Sequence, residues 1–410
     1  MLLDDDERER HKRTRRELLT RMLLFPTCSR MDLYRRLRHG RMSKDSDVLF
    51  HMAFGQLMKT NDTPAGPPLQ RYPKRSFEYT PDEMRSHIRF NHEEFRELMT
   101  VLGVPDRFRF LSWSFDGEEA LLILLRRLSG VDTFKKLRSE FRREECELCT
   151  CFNGMIKWMV DTHGHLISGD LRRWRPVLRG WSRAVSQRSG DYDHGYYGYI
   201  CMFIDGTCVR ICRPTSGRTV FYDLQRLFYS GYKKYHNLNF CCIVAPNGLC
   251  IDLCGPVPGR HSDKWTQSWS STEVRLRELF RGLDFTVYGD DIYNNSDVIK
   301  RKKRGLNLSA EDIRQISKLN GSRVSVENYF AKVYNDWPFI SFKKNLKVLS
   351  CPCGVGNIYK VAVLLTNFKV CCQGSQVGGG IFGLSAPELS VYILGGVQSN
   401  CHLPPNINTL

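Results

Sequence analysis

The stretch that decides the fold lies at residues 199–207 and reads Tyr199-Ile200-Cys201-Met202-Phe203-Ile204-Asp205-Gly206-Thr207. An apolar run followed by a turn signal predicts a buried strand, and this run ends on the acid Asp205. A second stretch, Phe285-Thr286-Val287-Tyr288-Gly289-Asp290, has the same arrangement. A third acid, Glu327, lies in the helical pattern of residues 323–330. Two carboxylates at strand ends and a third on a later helix can converge on divalent cations, as two-metal phosphodiester chemistry requires.

Each of these acids has a simpler structural explanation or a nearby competitor. Asp205 can be a turn former before Gly206, and Glu327 can be a surface residue of its helix. Asp291 follows Asp290 directly, but it is expected to point away if the strand continues, because side chains alternate along a strand. Asp263 is expected to cap the next helix, and an accessory acid near the metal ions is the alternative.

Further short motifs surround the three acids in a fixed order. They are Tyr229-Ser230-Gly231-Tyr232-Lys233-Lys234-Tyr235-His236, Gly255-Pro256-Val257-Pro258-Gly259-Arg260-His261-Ser262-Asp263, Trp337-Pro338-Phe339 and Val361-Ala362-Val363-Leu364-Leu365-Thr366-Asn367. Together with the acids they resemble the DDE-type transposases of the PIF/Harbinger superfamily. The motifs of that family are Asp-Gly-Thr, Ser-Gly-x-Lys-x-x-His, Gly-Pro-x-x-Gly-x-x-x-Asp, Gly-Asp-x-x-Tyr, Arg-x-x-x-Glu-x-x-Phe and a final Ala-x-x-Leu-x-Asn helix. The resemblance covers residues 200–370 well and 85–175 more loosely.

The resemblance implies a fold and an activity. The fold is an RNase H-like α/β domain, a mixed sheet flanked by helices, preceded by an all-α helix-turn-helix-like domain. The activity is that of a metal-dependent endonuclease that cuts transposon ends and joins their 3′ ends to target DNA. Asp205, Asp290 and Glu327 would be the catalytic residues and would ligate two Mg²⁺ (or Mn²⁺), hard cations that prefer oxygen ligands. A Myb-like partner protein, a homo-oligomer and double-stranded DNA are the implied partners.

The sequence departs from the family pattern at two positions. Asp291-Ile292 stands where the family usually has a small residue before Tyr293, and Ala331 replaces a common glycine. These departures bear on the expected efficiency more than on the resemblance itself. A domesticated nuclease would have the same sequence signature and is one alternative. Another alternative is a non-catalytic DNA-binding or scaffold protein on a degenerate transposase fold, against which the presence of all three acids argues.

The charge of the chain favours a polyanionic partner. Lys and Arg number 61 against 44 Asp and Glu, a formal net charge of +17 over 410 residues. Nucleic acid is the first candidate for such a partner. Near the strand ends, cations alternate with aromatics in the way that suits a DNA backbone beside unstacked bases. The predicted accessory or DNA-contacting residues are Tyr229, Lys233, Lys234, His236, Arg260 and His261.

One arginine and one basic run have more specific interpretations than DNA binding in general. Arg323 lies four residues before Glu327 on the same helical face and is expected to orient that carboxylate. The run Lys300-Arg301-Lys302-Lys303-Arg304 is the densest basic segment of the chain. It is a candidate nuclear-import signal, which predicts a nuclear protein. A phosphate contact and a solvated loop are its alternatives.

The chain divides into five predicted segments. Residues 1–80 form a charged, partly disordered leader, and 81–175 form the helical, helix-turn-helix-like domain. Within the latter, residues 145–157 are the candidate recognition helix, although its early acids argue for plain helical packing. Residues 176–198 are a predicted linker, 199–372 the RNase H-like domain and 373–410 an irregular tail.

The cysteines and the apolar segments bear on disulfides, zinc binding and membrane association. The 16 cysteines are scattered through apolar runs, so reduced core thiols are favoured over disulfides. Cys146-x-x-Cys149 and Cys351-x-Cys353 approach zinc-ligand spacing, but neither has a second pair at finger spacing. No apolar run approaches the ~18 residues that span a bilayer, and no signal peptide begins the sequence. These patterns predict a soluble, intracellular protein without a membrane partner.

Overall fold

The structure is a computed structural model that describes residues 73–190, 192–214, 219–305, 308–341 and 346–395. Its strands are β1 Arg107–Phe110, β2 Trp113–Asp116, β3 Tyr199–Arg210, β4 Tyr229–Ser230, β5 Tyr235–Val244, β6 Cys250–Pro258, β7 Phe285–Gly289 and β8 Ile299–Lys300. Its α-helices of six residues or more are α1 His92–Leu102, α2 Gly117–Leu128, α3 Phe134–Phe141, α4 Glu145–His163, α5 Leu178–Ser189, α6 Thr219–Phe228, α7 Asp263–Trp269, α8 Thr272–Phe280, α9 Ala310–Asp336, α10 Val355–Gln373 and α11 Leu389–Leu394. The predicted leader lies outside the described residues except for its last few.

A mixed six-stranded sheet organises the second half of the described chain. Its order is β4-β5-β3-β7-β8, and β6 also pairs with β5. The β3–β5 and β5–β6 pairs are antiparallel, whereas β3–β7 and β7–β8 are parallel. The apolar runs 239–245 and 249–254 flank a turn at Pro246-Asn247-Gly248 and predict a hairpin, which the structure confirms as β5–β6. This mixed sheet with flanking helices is compatible with a DDE nuclease domain.

The central strand is longer than predicted. The strand β3 runs without interruption through Asp205 to Arg210, and Asp205 pairs with Cys242 of β5. The prediction that the apolar run would end as a strand at Asp205 was therefore wrong. The reason is that β3 continues to pair with β5 through Gly206 and Thr207 to Arg210. The hydrogen bonds between these two strands outweigh the local turn preference of Asp-Gly.

Two helices predicted separately are one. The sequence predicts separate helices over 308–319 and 324–334, whereas the structure has one 27-residue helix, α9, that runs from Ala310 without a break at Gly321. Leu319, Ser322 and Val326 are buried along it, and the Ser322 hydroxyl lies 2.8 Å from that of Ser189 on α5. Tertiary packing thus keeps the chain helical at Gly321, where the intrinsic helix propensity is lowest, since packing routinely overrides propensity.

The predicted linker and tail both belong to the packed structure. Residues 178–189 form α5, whose Leu178, Trp181 and Val185 are buried and which packs against β3. The linker prediction was wrong because it weighed the polar residues and not this helical apolar spacing. In the tail, Leu389 and Tyr392 of α11 are buried, and the hydroxyl of Tyr392 accepts a hydrogen bond of 2.8 Å from Asn367. Residues 396–410 lie outside the described residues.

The amino-terminal helices pack around α4 and onto α10. Residues 151–156 of α4 are all buried, and this helix contacts α2, α3 and α10. A recognition helix needs an exposed face for the major groove, and the middle of α4 has none. The buried middle of α4 favours the alternative of helical packing, whereas Glu145 and Cys146 at its start are exposed, so the groove-binding interpretation of residues 145–157 stays a prediction. The hairpin β1–β2 was not predicted, although the alternation Arg107-Phe108-Arg109-Phe110 carries its signal.

Cysteines in the described part of the chain are free thiols, and Cys201, Cys241, Cys242 and Cys250 are buried in the sheet. This agrees with the prediction of reduced core thiols. The sulfurs of Cys351 and Cys353 lie 3.6 Å apart. No helix of the described residues is both long enough and apolar enough to cross a bilayer.

Candidate active site

Asp205 and Asp290 lie side by side because their strands are parallel neighbours. The register of β3 and β7 pairs Ile204 with Gly289, so the next residue on each chain is an acid. Asp290 follows the last residue of β7, as predicted, whereas Asp205 lies inside β3. The juxtaposition of the two acids depends on this parallel register.

Glu327, on helix α9, is connected to Asp205 through Arg323, which contacts both carboxylates. Arg323 donates from Nη1 to Oδ2 of Asp205 at 2.7 Å and from Nη2 to Oε1 of Glu327 at 2.9 Å. The side chains of Arg323 and Asp205 are 17% and 18% exposed, and that of Glu327 is 51% exposed. The expected contact between Arg323 and Glu327 is present. The second contact, to Asp205, was missed because sequence spacing on one helix says nothing of a strand 118 residues earlier.

The electrostatics of the site are those of crowded, partly desolvated acids. Burial raises the pKa of the Asp205 carboxyl to about 6, Arg323 acts against that rise, and Glu327 and Asp290 add to it. Burial by itself would lower the pKa of Arg323, but Asp205, Glu327 and Asp290 outweigh it and raise the pKa. A cation is therefore favoured beside Asp205, because it stabilises the charged carboxylate that burial disfavours.

Asp263 lies at the same site and does not cap its helix. Ser262 is the N-cap of α7, with its hydroxyl accepting from the backbone N–H of Trp265 at 3.3 Å. Asp263 instead packs against the backbone of Gly206, where an added Cβ would meet its Cγ at 2.3 Å. Burial raises the pKa of Asp263, Lys233 opposes this, and Asp290 adds to it. The capping prediction was wrong by one residue, and the position fits the alternative of an accessory acid.

The predicted DNA-contacting residues cluster at the β4–β5 turn and the start of α7. Tyr229 pairs with His236 across β4 and β5, and their rings meet at 5.3 Å. Lys234 occupies the turn with φ of 60°, while the neighbouring Tyr232 is 94% exposed. Burial, with Arg213 nearby, lowers the pKa of His236, which keeps its ring neutral at pH 7.

Arg260 and His261 continue this surface beside β5. The backbone N–H of Arg260 donates to Leu227 at 3.1 Å, and the backbone carbonyl of His261 accepts from Asn239 at 2.7 Å. The ring of His261 stacks on that of Trp265 at 3.8 Å. The backbone of this segment is thus tied to β5 and to the end of α6. Exposed cations and aromatics therefore border the acids on the side of β5.

The basic run lies on the opposite side and is held by acids. Asp291 forms ion pairs through Oδ2 with Lys302 and, at 3.3 Å, with Arg304. Lys303 pairs with Asp312 at 2.9 Å. The strand β7 ends at Gly289, so the alternation argument does not reach Asp291, whose Oδ2 is held by the basic run instead. At least three of its cations form ion pairs, while their side chains stay 34–56% exposed, so the alternatives for this run stay predictions.

The donor chemistry of the site fits a hard divalent cation. Asp205, Asp290 and Glu327 present only carboxylate oxygens, the ligands that Mg²⁺ and Mn²⁺ take, and the carboxylate of Asp205 is buried enough to need a cation. Arg323 supplies that cation as the side chains stand. Across the described ranges, no three His, Cys, Asp or Glu side chains are gathered closely enough to hold a metal ion, and this includes the cysteines at zinc-like spacing.

The comparison with family models agrees with this arrangement. Residues 204–367 match the family described as DDE superfamily endonuclease. The matched region begins next to Asp205 and ends at Asn367, so it contains the end of β3, the later strands of the sheet, all three acids and α9. The match supports a DDE transposase-like nuclease. No curated protein and no solved structure matches the chain.

Proposed function

We propose that this protein is a metal-dependent DNA endonuclease and strand transferase of the PIF/Harbinger type of DDE transposase. The observation that carries the proposal is the convergence of Asp205 and Asp290 from adjacent parallel strands, with Glu327 linked to Asp205 through Arg323. This convergence lies within the region that matches the DDE superfamily endonucleases. Its substrates would be transposon ends and target DNA.

In this proposal the three acids hold two Mg²⁺ (or Mn²⁺). Bound there, the metal ions activate the attacking water or DNA 3′-hydroxyl and stabilise the leaving oxygen. Asp205 contributes from the rigid centre of the sheet, and Asp290 contributes from the end of the next strand. Glu327 is 51% exposed against 18% for Asp205 and therefore has more freedom to reorient from Arg323. Arg323 keeps the carboxylates charged in the absence of metal, and Asp263 adds an accessory acid behind Gly206.

The proposed DNA path runs over the β4–β5 turn. Lys233, Lys234 and Arg260 supply cations there, and Tyr232 presents an almost fully exposed ring. Cations position the phosphate backbone, whereas aromatic rings stack on unpaired bases. The formal charge of +17 supports the same partner. A nuclear location, a homo-oligomer and a Myb-like partner protein that helps to recognise the ends belong to the proposal by resemblance.

A second candidate is a non-catalytic DNA-binding protein on the same fold. The observation that favours it is Arg323, whose two ion pairs satisfy Asp205 and Glu327 without a metal ion. A domesticated nuclease that still cuts DNA but no longer moves an element is a variant of the first proposal.

Cleavage by the purified full chain tests the proposal. The substrate is a supercoiled plasmid that carries the ends of the protein's own element, and the control plasmid lacks them. Nicking or cutting in Mg²⁺ that stops on chelation is the expected result. DNA binding without cutting in either Mg²⁺ or Mn²⁺ would favour the non-catalytic candidate instead.

A further inference from the structure

The hairpin β1–β2 carries a leucine at its tip in a backbone conformation that leucine rarely adopts. The pairing of Phe110 with Trp113 leaves Leu111 and Ser112 as a two-residue turn. Leu111 has a φ of 53°, in the left-handed region, which such turns usually fill with glycine, asparagine or aspartate. Its side chain is 70% exposed. Leucine is thus unfavourable here for two reasons, and a strained residue that persists on a surface points to a function.

The stem of the hairpin is fixed to the amino-terminal helices. Phe108 and Phe115 face each other across the two strands, and both are buried. The ring of Phe108 meets that of Trp158 on α4 edge to face, with 6.4 Å between the ring centroids. Phe110 lies so close to Gly154 of α4 that an added Cβ there would meet its Cγ at 2.6 Å. The packed stem therefore holds the tip in place while the tip itself stands in solvent.

The outward face of the same hairpin carries two cations without an ion-pair partner. Arg107 and Arg109 are exposed and alternate with the buried Phe108, because successive side chains of a strand point to opposite faces. Asp116 lies opposite Arg107 in the register, but its carboxylate pairs with Arg75 at 3.0 Å. Within the described part of the chain, neither Arg107 nor Arg109 forms an ion pair. The hairpin therefore presents two free positive charges behind an apolar tip.

We propose that the β1–β2 hairpin is a DNA-bending wedge, which enters the minor groove of duplex DNA and inserts Leu111 between two base pairs. Proteins that bend DNA from the minor groove combine cationic side chains in the groove with an apolar side chain as the wedge. The negative potential of a narrow minor groove attracts Arg107 and Arg109. The inference rests on DNA as the proposed substrate, and it adds a second contact separate from the β4–β5 turn.

A protein partner fits this surface less well than DNA does. Stable protein interfaces bury a broad apolar core, whereas the apolar part of the tip is a single side chain. The residues around Leu111 on the exposed side, Ser112 and Ser114, are polar. Asp106 is exposed as well, but it precedes β1 and therefore lies at the end of the stem away from the tip. A wedge needs only one apolar side chain on a rigid support, which is what the hairpin offers.

Bending is measured by energy transfer between dyes at the two ends of a duplex of about 20 base pairs that contains TA steps, which kink easily. The full chain binds this duplex in Ca²⁺ so that the DNA is not cut. A kink of about 20–90° brings the ends closer, so the transfer efficiency should rise up to about two-fold on binding. Leu111→Asn should return the efficiency to that of the free duplex.

The same variant separates a wedge from a structural role. Asparagine adopts the left-handed conformation more readily than leucine, and the change removes an exposed apolar side chain. Leu111→Asn should therefore raise the unfolding temperature while it abolishes bending. Val131→Asn changes another exposed apolar residue, 51% exposed and outside the hairpin, and should bend the duplex like the wild type. A lower unfolding temperature of Leu111→Asn would indicate a structural role and overturn the inference.

The arginines are tested through the salt dependence of binding. Arg107→Gln combined with Arg109→Gln should flatten the slope of log affinity against log salt by up to about two. Arg85→Gln with Arg96→Gln changes two exposed arginines outside the hairpin and is the control pair. An unchanged slope for the hairpin pair would overturn the inference, as would a Leu111→Asn protein that bends the duplex like the wild type.

The failure of this inference and the failure of the proposed function give different results. If the wild type cuts DNA in Mg²⁺ but leaves the bound duplex straight, the wedge is wrong and the nuclease proposal stands. If the wild type bends the duplex through Leu111 but cuts no DNA in Mg²⁺ or Mn²⁺, the nuclease proposal fails and the wedge stands. That second result would agree with the non-catalytic DNA-binding candidate.

Discussion

The guanidinium of Arg323 lies between two acids, with Nη1 at 2.7 Å from Oδ2 of Asp205. The pair joins the central strand of the sheet to its longest flanking helix. Arg323 thus holds a positive charge beside carboxylates that resemble, in sequence and position, the metal ligands of DDE nucleases. The predictions below concern this arrangement and the surfaces around it.

Replacing any of the three acids should abolish cleavage. Asp205→Asn, Asp290→Asn and Glu327→Gln each remove a metal ligand, whereas binding to the DNA backbone depends on Lys and Arg. When both are measured on the same DNA, cleavage should therefore be lost while the affinity for DNA stays close to that of the wild type. Asp161→Asn, at an exposed acid of α4, is the matched control. Full cleavage by one of the three variants would remove that acid from the site, and cleavage by Asp290→Asn would point to Asp263 or Asp291.

Removing the arginine should shift the pH dependence of cleavage. The pKa of Asp205 is about 6 with Arg323 acting to lower it, so Arg323→Gln should raise that pKa further. Because the carboxylate must be ionised to hold metal, activity is lost as the pH falls through the pKa. The acidic limb of the pH–rate profile should move to higher pH by about one pH unit. Arg314→Gln, at an exposed arginine of α9, is the control, and an unmoved profile for Arg323→Gln would contradict the role.

Magnesium should stabilise the folded protein. A ligand that binds only the native state adds about 2.7 kcal/mol at a hundred times its Kd, so the unfolding temperature should rise with Mg²⁺ concentration. The rise should be absent in a variant that carries both Asp205→Asn and Asp290→Asn. Thermal unfolding in Mg²⁺ and in EDTA measures this without relying on catalysis. Equal rises in wild type and double variant would place the bound metal elsewhere.

DNA binding should weaken steeply with salt, and the β4–β5 turn should account for part of this dependence. Each phosphate contact that is lost should reduce the slope of log affinity against log salt by about one. Lys233→Gln combined with Lys234→Gln should therefore flatten it by up to about two. The control pair is Lys135→Gln with Lys136→Gln on α3. An affinity of the wild type that does not change with salt would remove the electrostatic basis of the DNA path.

The basic run should direct nuclear import. Changing Lys300, Arg301, Lys302, Lys303 and Arg304 to glutamine should abolish nuclear accumulation of a tagged full chain. The purified variant should still cut DNA, because five consecutive cations cannot all face one duplex. Thermal unfolding must accompany the test, since the change also removes the partners of Asp291. Nuclear accumulation of a folded variant at the wild-type level would contradict the import role, and a flatter salt dependence of cutting would support phosphate contact.

The local sequence predicted several elements well because their signals are local. The apolar run 285–289 and the turn at Pro246-Asn247-Gly248 form the expected strand and hairpin. The placement of Asp290 directly after its strand follows from the same local pattern. The misjudged segments include α5, whose apolar residues are spaced among polar ones, and the tail, whose short apolar helix α11 follows a stretch rich in Gly and Ser. Their burial depends on which surfaces the rest of the chain provides.

By itself, the sequence determined the identity of the acids, the basic charge and the motifs that resemble DDE transposases. Only the tertiary structure decided that Asp263 packs behind Gly206, that Arg323 links Asp205 to Glu327, and that Asp291 turns to the basic run. These relationships join residues that are far apart in the chain, and their distances follow from the parallel register of β3 and β7 and from the packing of α9 on the sheet. Local propensity carries no information on such distances.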